Sequence, residues 1–277
     1  MEFSNRYICV NCGLQHDSDT SFPERCLNCS DERESMTHKP QRWTTLREMR
    51  GYRNVLTPLG DGVTGIVTAP IFAIGPEVFL ISSSAGSVLW DCFGYLDADT
   101  VHHIQQAGGL SAIVISHPHM FGSVVEWSHA LSNVPVFIHE DNRRWMPRLD
   151  PVIRWWQGES CLINPELTTF RIGGHFPGSS VLHWPQGAGG KGALFTGDGI
   201  LPVEDRRWVS FMYSYPNLIP IGRRGVEKII STISPLDFDR IYGGPMYGSG
   251  GARPIIQTRA KDVVLRSARR YIEHLES

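Results

Sequence analysis

The run Ile113-Val114-Ile115-Ser116-His117-Pro118-His119 constrains the fold more than any other stretch of this chain. Three β-branched residues in succession read as a strand, and that strand leads straight into two histidines separated by one proline. In extended backbone, residues two apart point the same way. Both imidazoles therefore project to one side, where a single cation can bind them. Pro118 fixes one backbone dihedral and narrows the spread of the two rings. Gly173-Gly174-His175 and Gly197-Asp198-Gly199 supply two further donors between glycines. Together these residues make most of a metal site.

A second metal signal lies at the N-terminus. Cys9, Cys12, Cys26 and Cys29 are spaced C-x2-C-x13-C-x2-C, while Cys92 and Cys161 stand alone and read as small buried hydrophobes. Residues 1–38 are polar and turn-rich, too poor in apolar residues to fold without an ion, so they read as a zinc ribbon whose bound zinc supplies the folding energy. Cys12-Gly13 also resembles a rubredoxin knuckle, which keeps iron open as the alternative. Through residue 39 this segment carries four basic against seven acidic residues, a balance that argues against a nucleic-acid-binding ribbon. The whole chain, at a net charge of −2, makes no electrostatic case for nucleic acid or an anionic membrane either. Its longest apolar segment, Ile66 to Ile81, is broken by Pro70, Gly75 and Pro76, so no membrane span is expected. The start shows no basic region followed by an apolar stretch, which points to the cytoplasm.

From about residue 55 the pattern changes to short β-type runs at 63–67, 71–74, 78–81 and 88–90. A helix follows from Asp99 to Gln106, ended by Gly108-Gly109. Strand 112–115, a helix over 124–131, strand 134–138 and a short polar helix at Glu140–Arg144 complete a first half. Strands near 160–163, 168–172, 179–184 and 192–196, a helix over 224–233, strand 238–242 and a terminal helix over 258–275 make the second. Clustered strands followed by alternating strands and helices predict an α/β fold of two sheets with helices outside. The domains are then the ribbon, 1–38, and one large domain, 39–277.

In their order along the chain the motifs resemble the metallo-β-lactamase superfamily. Asp91 closes Ser87-Val88-Leu89-Trp90-Asp91, His117 and His119 match the first histidines of H-x-H-x-D-H, His175 sits in Gly174-His175-Phe176-Pro177-Gly178-Ser179, and Asp198 follows Phe195-Thr196-Gly197. The resemblance covers about 55–250 and implies an αββα sandwich. Two departures change what it implies for the site. Phe121 and Gly122 stand where the superfamily has Asp and His, and Arg240-Ile241-Tyr242-Gly243-Gly244-Pro245-Met246-Tyr247 replaces its final histidine. The second-metal position is lost, and one metal remains for His117, His119, His175 and Asp198.

The expectation is a metal-dependent hydrolase with one zinc, iron or manganese ion at that mononuclear site, with His119 and Asp198 as catalytic residues. Its activated water would attack an ester, lactone or thioester carbonyl. Asp91 is the candidate support for the site, and Phe121, His139, Tyr242 and Tyr247 are candidate pocket residues. Loop aromatics Trp145, Trp155, Trp156, Trp208, Phe211, Tyr213 and Tyr215 suggest an apolar small-molecule substrate. A catalytically inactive binding scaffold and an iron-dependent redox protein are the alternatives. The ribbon is expected to pack on its own domain, on a second copy in a homo-oligomer, or on another protein.

Overall fold

Alternating side chains make the central strands two-faced, and each face enters a different apolar layer. The structure is a computed structural model that describes residues 4–34, 40–244 and 255–276. In strand Gly86–Trp90, Val88 and Trp90 enter one cluster and Leu89 another. Phe79 and Ile81 part from Leu80 in the same way, Ala112 and Val114 from Ile113, and Ala193 and Phe195 from Leu194. This period of two is what a strand buried on both faces requires.

These strands form two sheets. The larger has seven strands in chain order: Arg53–Gly60, Val63–Ala69, Glu77–Ser83, Gly86–Trp90, Ala112–Val114, Val136–His139 and Ile153–Trp156. The first four are an antiparallel meander and the last three join in parallel, with helices Ala98–Gln106 and Val124–Ala130 carrying crossovers. The smaller sheet orders Ser160–Asn164, Leu167–Arg171, Ser180–Trp184, Ala193–Phe195 and Arg240–Tyr242. Its last pair is parallel, connected through helix Arg223–Ile233.

The central layer packs Phe79, Trp90 and Val114 of the larger sheet against Leu182, Phe195 and Tyr242 of the smaller. Helices Arg223–Ile233 and Ala260–Glu276 cover the outer face of the smaller sheet with Val226, Ile229 and Val264. The architecture is the αββα sandwich the motifs imply.

Three local expectations are corrected. Residues 71–74 are a turn, not a strand: Ala73 takes a left-handed φ of +55° beside Pro70 and Gly75, which no strand accommodates. Arg53–Gly60 is a further strand, without an apolar alternation because it lies on the sheet edge, exposed at most positions. Cys161 is half-buried on an edge strand, whereas Cys92 is buried as expected.

The N-terminal segment docks on the large domain. Its strand Ile8–Cys9 pairs with Trp43–Thr44, and Ile8, Cys12, Leu14 and Cys26 share an apolar cluster with Phe93, Phe121 and Phe176. Gln15 N–H donates to the Gly122 carbonyl at 3.0 Å. Gly122 itself has a φ of +51°, and a Cβ there would lie 2.4 Å from the Phe93 backbone. That close approach admits glycine alone. Among the described residues no helix is long and apolar enough to cross a membrane.

Candidate metal centre

Each candidate ligand sits just past the carboxyl end of a strand, held there by a turn. His117 follows Ala112–Val114, His175 follows Leu167–Arg171, and Asp198 follows Ala193–Phe195. His117 has extended backbone and caps the single helical turn Pro118–Met120 that carries His119. Glycines make room for the cluster. Gly197 has a φ of +50° beside Ser116 and His117, and a Cβ at Gly244 would lie 2.1 Å from Oδ1 of Asp198. Gly244, in the stretch that stands where the superfamily has its last histidine, thus leaves room for the Asp198 carboxylate.

His117, His119, His175 and Asp198 converge, offering one donor atom each within 4.8 Å of one another. His117 Nε2 lies 3.4 Å from Asp198 Oδ2, and His175 Nε2 lies 3.9 Å from the same oxygen. His119 Nδ1 is 3.4 Å from His175 Nε2. The opposite nitrogens face protein groups on the outside. His117 Nδ1 meets Ser116 Oγ at 2.8 Å, His175 Nδ1 meets the carbonyls of Tyr213 and Met212 at 2.9 and 3.2 Å, and His119 Nε2 lies 3.2 Å from Glu34 Oε2. One nitrogen inward and the other facing a protein group is the arrangement of metal-ligating histidines.

The electrostatics agree. Burial first, and His117 second, hold the His175 imidazole down to about 4. Burial, then the neighbouring His175 and His117, hold His119 well below its usual range. Both rings are neutral at pH 7, the form that coordinates metal. Asp91 supports the cluster from below: its carboxylate accepts the Ser116 N–H at 2.7 Å, and Ser116 in turn holds His117. Burial raises its carboxyl to about 6.

The other expected residues sort differently. Phe121 and Tyr242 are core plugs: Phe121 is buried in the cluster shared with the N-terminal segment, and Tyr242 stacks on Phe195 at 4.6 Å. His139 packs on Trp156 and bonds the Gly158 carbonyl and the Asp141 N–H, beside a surface depression with Glu159 and Arg171. It takes no part in the cluster. Tyr247 and Met246 lie outside the described residues. Trp145, Tyr213 and Tyr215 do surround the histidines, and Tyr215 Oη donates to the Asp198 carbonyl at 2.8 Å. Trp155, Trp156, Trp208 and Phe211 instead pack against Arg143, His139, Arg270 and Tyr271.

The four cysteines form the second constellation. Their thiols are free and converge, with Cys9 Sγ 3.5 Å from Cys29 Sγ and Cys12 Sγ 3.4 Å from Cys26 Sγ. These are non-bonded separations, far beyond a disulfide bond. The hydrogen bond from Cys12 pulls the Cys26 thiol well below its ordinary range, so the cluster favours a thiolate. Both groups fit a bound ion, the cysteines by tetrahedral thiolate chemistry and the histidines by three nitrogens and a carboxylate.

The sequence did not reveal that these two constellations touch. Asn28 donates to the Pro118 carbonyl at 3.0 Å, and Ser214 Oγ donates to the Arg33 carbonyl at 2.7 Å. Arg33 Nε donates to the His175 carbonyl at 2.8 Å, while its guanidinium pairs with Asp31 and lies over Tyr213 and Phe176, 4.3 and 4.7 Å from their centroids. Glu34 is fully buried beside His119. Read locally, Asp31-Glu32-Arg33-Glu34 is a solvated charge run. Only the docked chain path turns it inward.

No protein-family model matches the sequence. The chain is 43% identical over 274 residues to the uncharacterized protein YmaE of Bacillus subtilis (strain 168), across 98% of this chain and 97% of that one. Among solved structures it is similar to the metallo-β-lactamase DIM-1, with a TM-score of 0.56 at 12% identity over 79% of this chain and 98% of that one. It is also similar to the metallo-β-lactamase FIM-1 from Pseudomonas aeruginosa in its mono-zinc form, with a TM-score of 0.55 at 15% identity over 79% and 96% of the two chains. At such identities the likeness shows a shared fold.

Proposed function

The chain belongs to the family of YmaE and has the metallo-β-lactamase fold, and from that premise we propose that it is a metal-dependent hydrolase with a mononuclear centre. The observation that carries this reading is the orientation of the three histidines: His117 Nε2, His119 Nδ1 and His175 Nε2 face one point beside Asp198, and each far nitrogen faces a protein group. A zinc, iron or manganese ion there supplies Lewis-acid activation of water. FIM-1, which shares this fold, has a solved mono-zinc form. Phe121 and Gly122 offer no donor side chain for a second.

His117, His119 and His175 would hold the ion through ring nitrogens, and Asp198 would add the carboxylate that lowers the charge of the centre. Tyr215 fixes the Asp198 backbone. The surroundings favour an uncharged ester, lactone or thioester. Phe176 lies against all three rings, and Arg33, a buried guanidinium beside them, is paired with Asp31. The test is turnover of activated esters, lactones and thioesters by full-length metal-loaded protein, lost in His119→Ala.

A second reading rests on burial. His117, His119, His175 and Asp198 are each no more than 3% exposed, and residues 31–34 lie across them. A centre closed in this way also suits a binding scaffold without catalysis. No turnover across the panel with the histidine centre loaded would favour it.

A further inference from the structure

Glu34 is where the two constellations meet. It stands five residues after Cys29, is fully buried, and places Oε2 3.2 Å from His119 Nε2. The other nitrogen of that ring, Nδ1, faces the centre, 3.4 Å from His175 Nε2. A carboxylate at the far nitrogen of a ligand imidazole keeps the proton there, leaves the inner lone pair for the ion and raises its basicity. His117 and His175 receive their outer partners from the large domain, Ser116 Oγ and the carbonyls of Met212 and Tyr213. For His119 the facing group comes from the four-cysteine module.

The path from cysteine to carboxylate is short and fixed at each step. Ser30 N–H donates to the Cys26 carbonyl, Asp31 N–H to Asn28, and Glu34 N–H to Asp31, each at 3.0 Å. Arg33, one residue before Glu34, is clamped by Ser214 and the His175 carbonyl. Little slack remains between the thiolate cluster and the His119 ring.

We propose that Glu34 is the positioning carboxylate of His119, and that the histidine centre reaches full metal affinity only when the cysteine module holds its own ion and delivers this side chain. The proposal rests on the reading of His117, His119, His175 and Asp198 as a metal centre. Because linkage is reciprocal, each ion then strengthens binding of the other by the same factor.

The test is cobalt(II) titration of the full chain, stripped of metal and then filled with cadmium at the cysteines. Cadmium prefers thiolate; its thiolate absorption in the ultraviolet reports the module, and visible ligand-field bands report cobalt at the histidines. Glu34→Ala is expected to weaken cobalt binding about 10–100-fold, as loss of an outer-shell partner does. Glu34→Gln, which keeps an acceptor oxygen, should lose less. Band positions and the cadmium–thiolate absorption should stay unchanged in both. Cys29→Ser should weaken cobalt binding by a factor similar to Glu34→Ala, and the double variant should show no further loss.

Equal cobalt affinity in wild type and Glu34→Ala overturns the proposal, and so do additive losses in the double variant. A band shift to a lower coordination number would make Glu34 a ligand and overturn the positioning role. If Glu34→Ala loses the cadmium–thiolate absorption, the near-isosteric Glu34→Gln decides: weakened cobalt binding with that absorption retained upholds the proposal, and wild-type affinity overturns it. Absence of cobalt binding in the wild type overturns this inference and the metal-centre reading together. Binding in the wild type that the variants leave untouched overturns this inference alone.

Discussion

The two clusters were reached by opposite routes. The cysteines come from one short segment, with Cys9 and Cys29 twenty positions apart, and four of its apolar anchors (Ile8, Cys12, Leu14 and Cys26) lie against the neighbouring domain. The histidines and Asp198 come from three strand ends on two sheets, and strand pairing within the sandwich fixes the backbones that lead to them. A site made from a local segment needs its ion in order to exist. A site made from a scaffold waits for one. The contrast predicts that metal removal disorders the first and leaves the second standing.

The strongest way to break that contrast is Cys26→Ser. Structural thiolate sites contribute on the order of 10 kcal/mol of folding energy, so residues 7–34 should lose hydrogen-exchange protection while the strands of both sheets keep theirs. Unchanged protection over 7–34 would mean that docking alone folds the segment. Arg33→Ala is expected next, at about 3–5 kcal/mol, because it strands Asp31 inside the interface and removes the ring contacts and the bond to His175. Limited proteolysis should then cut within 28–34 although the cysteines keep their ion. Resistance equal to wild type would show that the thiolate cluster holds the segment down unaided.

Acid sharpens the comparison in the metal-free protein. His175 is held near 4 in the folded chain against 6.5 in the unfolded one. Its contribution is present above pH 6.5 and lost as pH falls through about 4, a loss of about 3 kcal/mol. His119 acts in the same direction. Asp91, raised from 3.8 to about 6, acts oppositely: its contribution is full below 3.8 and lost as pH rises through 6. Denaturant melts should therefore show a steeper loss on acidification from 6.5 to 4 in Asp91→Asn than in wild type. Parallel profiles would remove Asp91 from the centre. The mildest change is Gly244→Ala, whose added carbon would press on Asp198 Oδ1 and should cost about 1–3 kcal/mol. Elemental analysis should find the histidine metal depleted and the cysteine metal intact; equal depletion of both would contradict a local effect.

Periodicity exposed the sandwich because each central strand has two buried faces, and Leu89 between Val88 and Trp90 shows that in three residues. The ligands were legible because glycines and a proline mark the turns that carry them. Edge strand Arg53–Gly60 was hidden, since exposure leaves a strand with no apolar signature. Glu34 was hidden for a deeper reason. Nothing in a charged tetrapeptide tells which residue will be buried when a metal-shaped loop meets another domain. The same limit hid that Tyr242, beside the expected place of a last histidine, and Phe121, two residues after His119, pack into the core.

Gly122 limits what this corner of the centre can carry. Its backbone presses on Phe93 so closely that no side chain fits, and its carbonyl now receives Gln15 from the N-terminal segment. A histidine at 122 would require the Phe93 backbone to move, so no single substitution places a donor side chain there. The position that receives the N-terminal segment is thereby held as glycine, and this corner of the centre stays without a donor side chain.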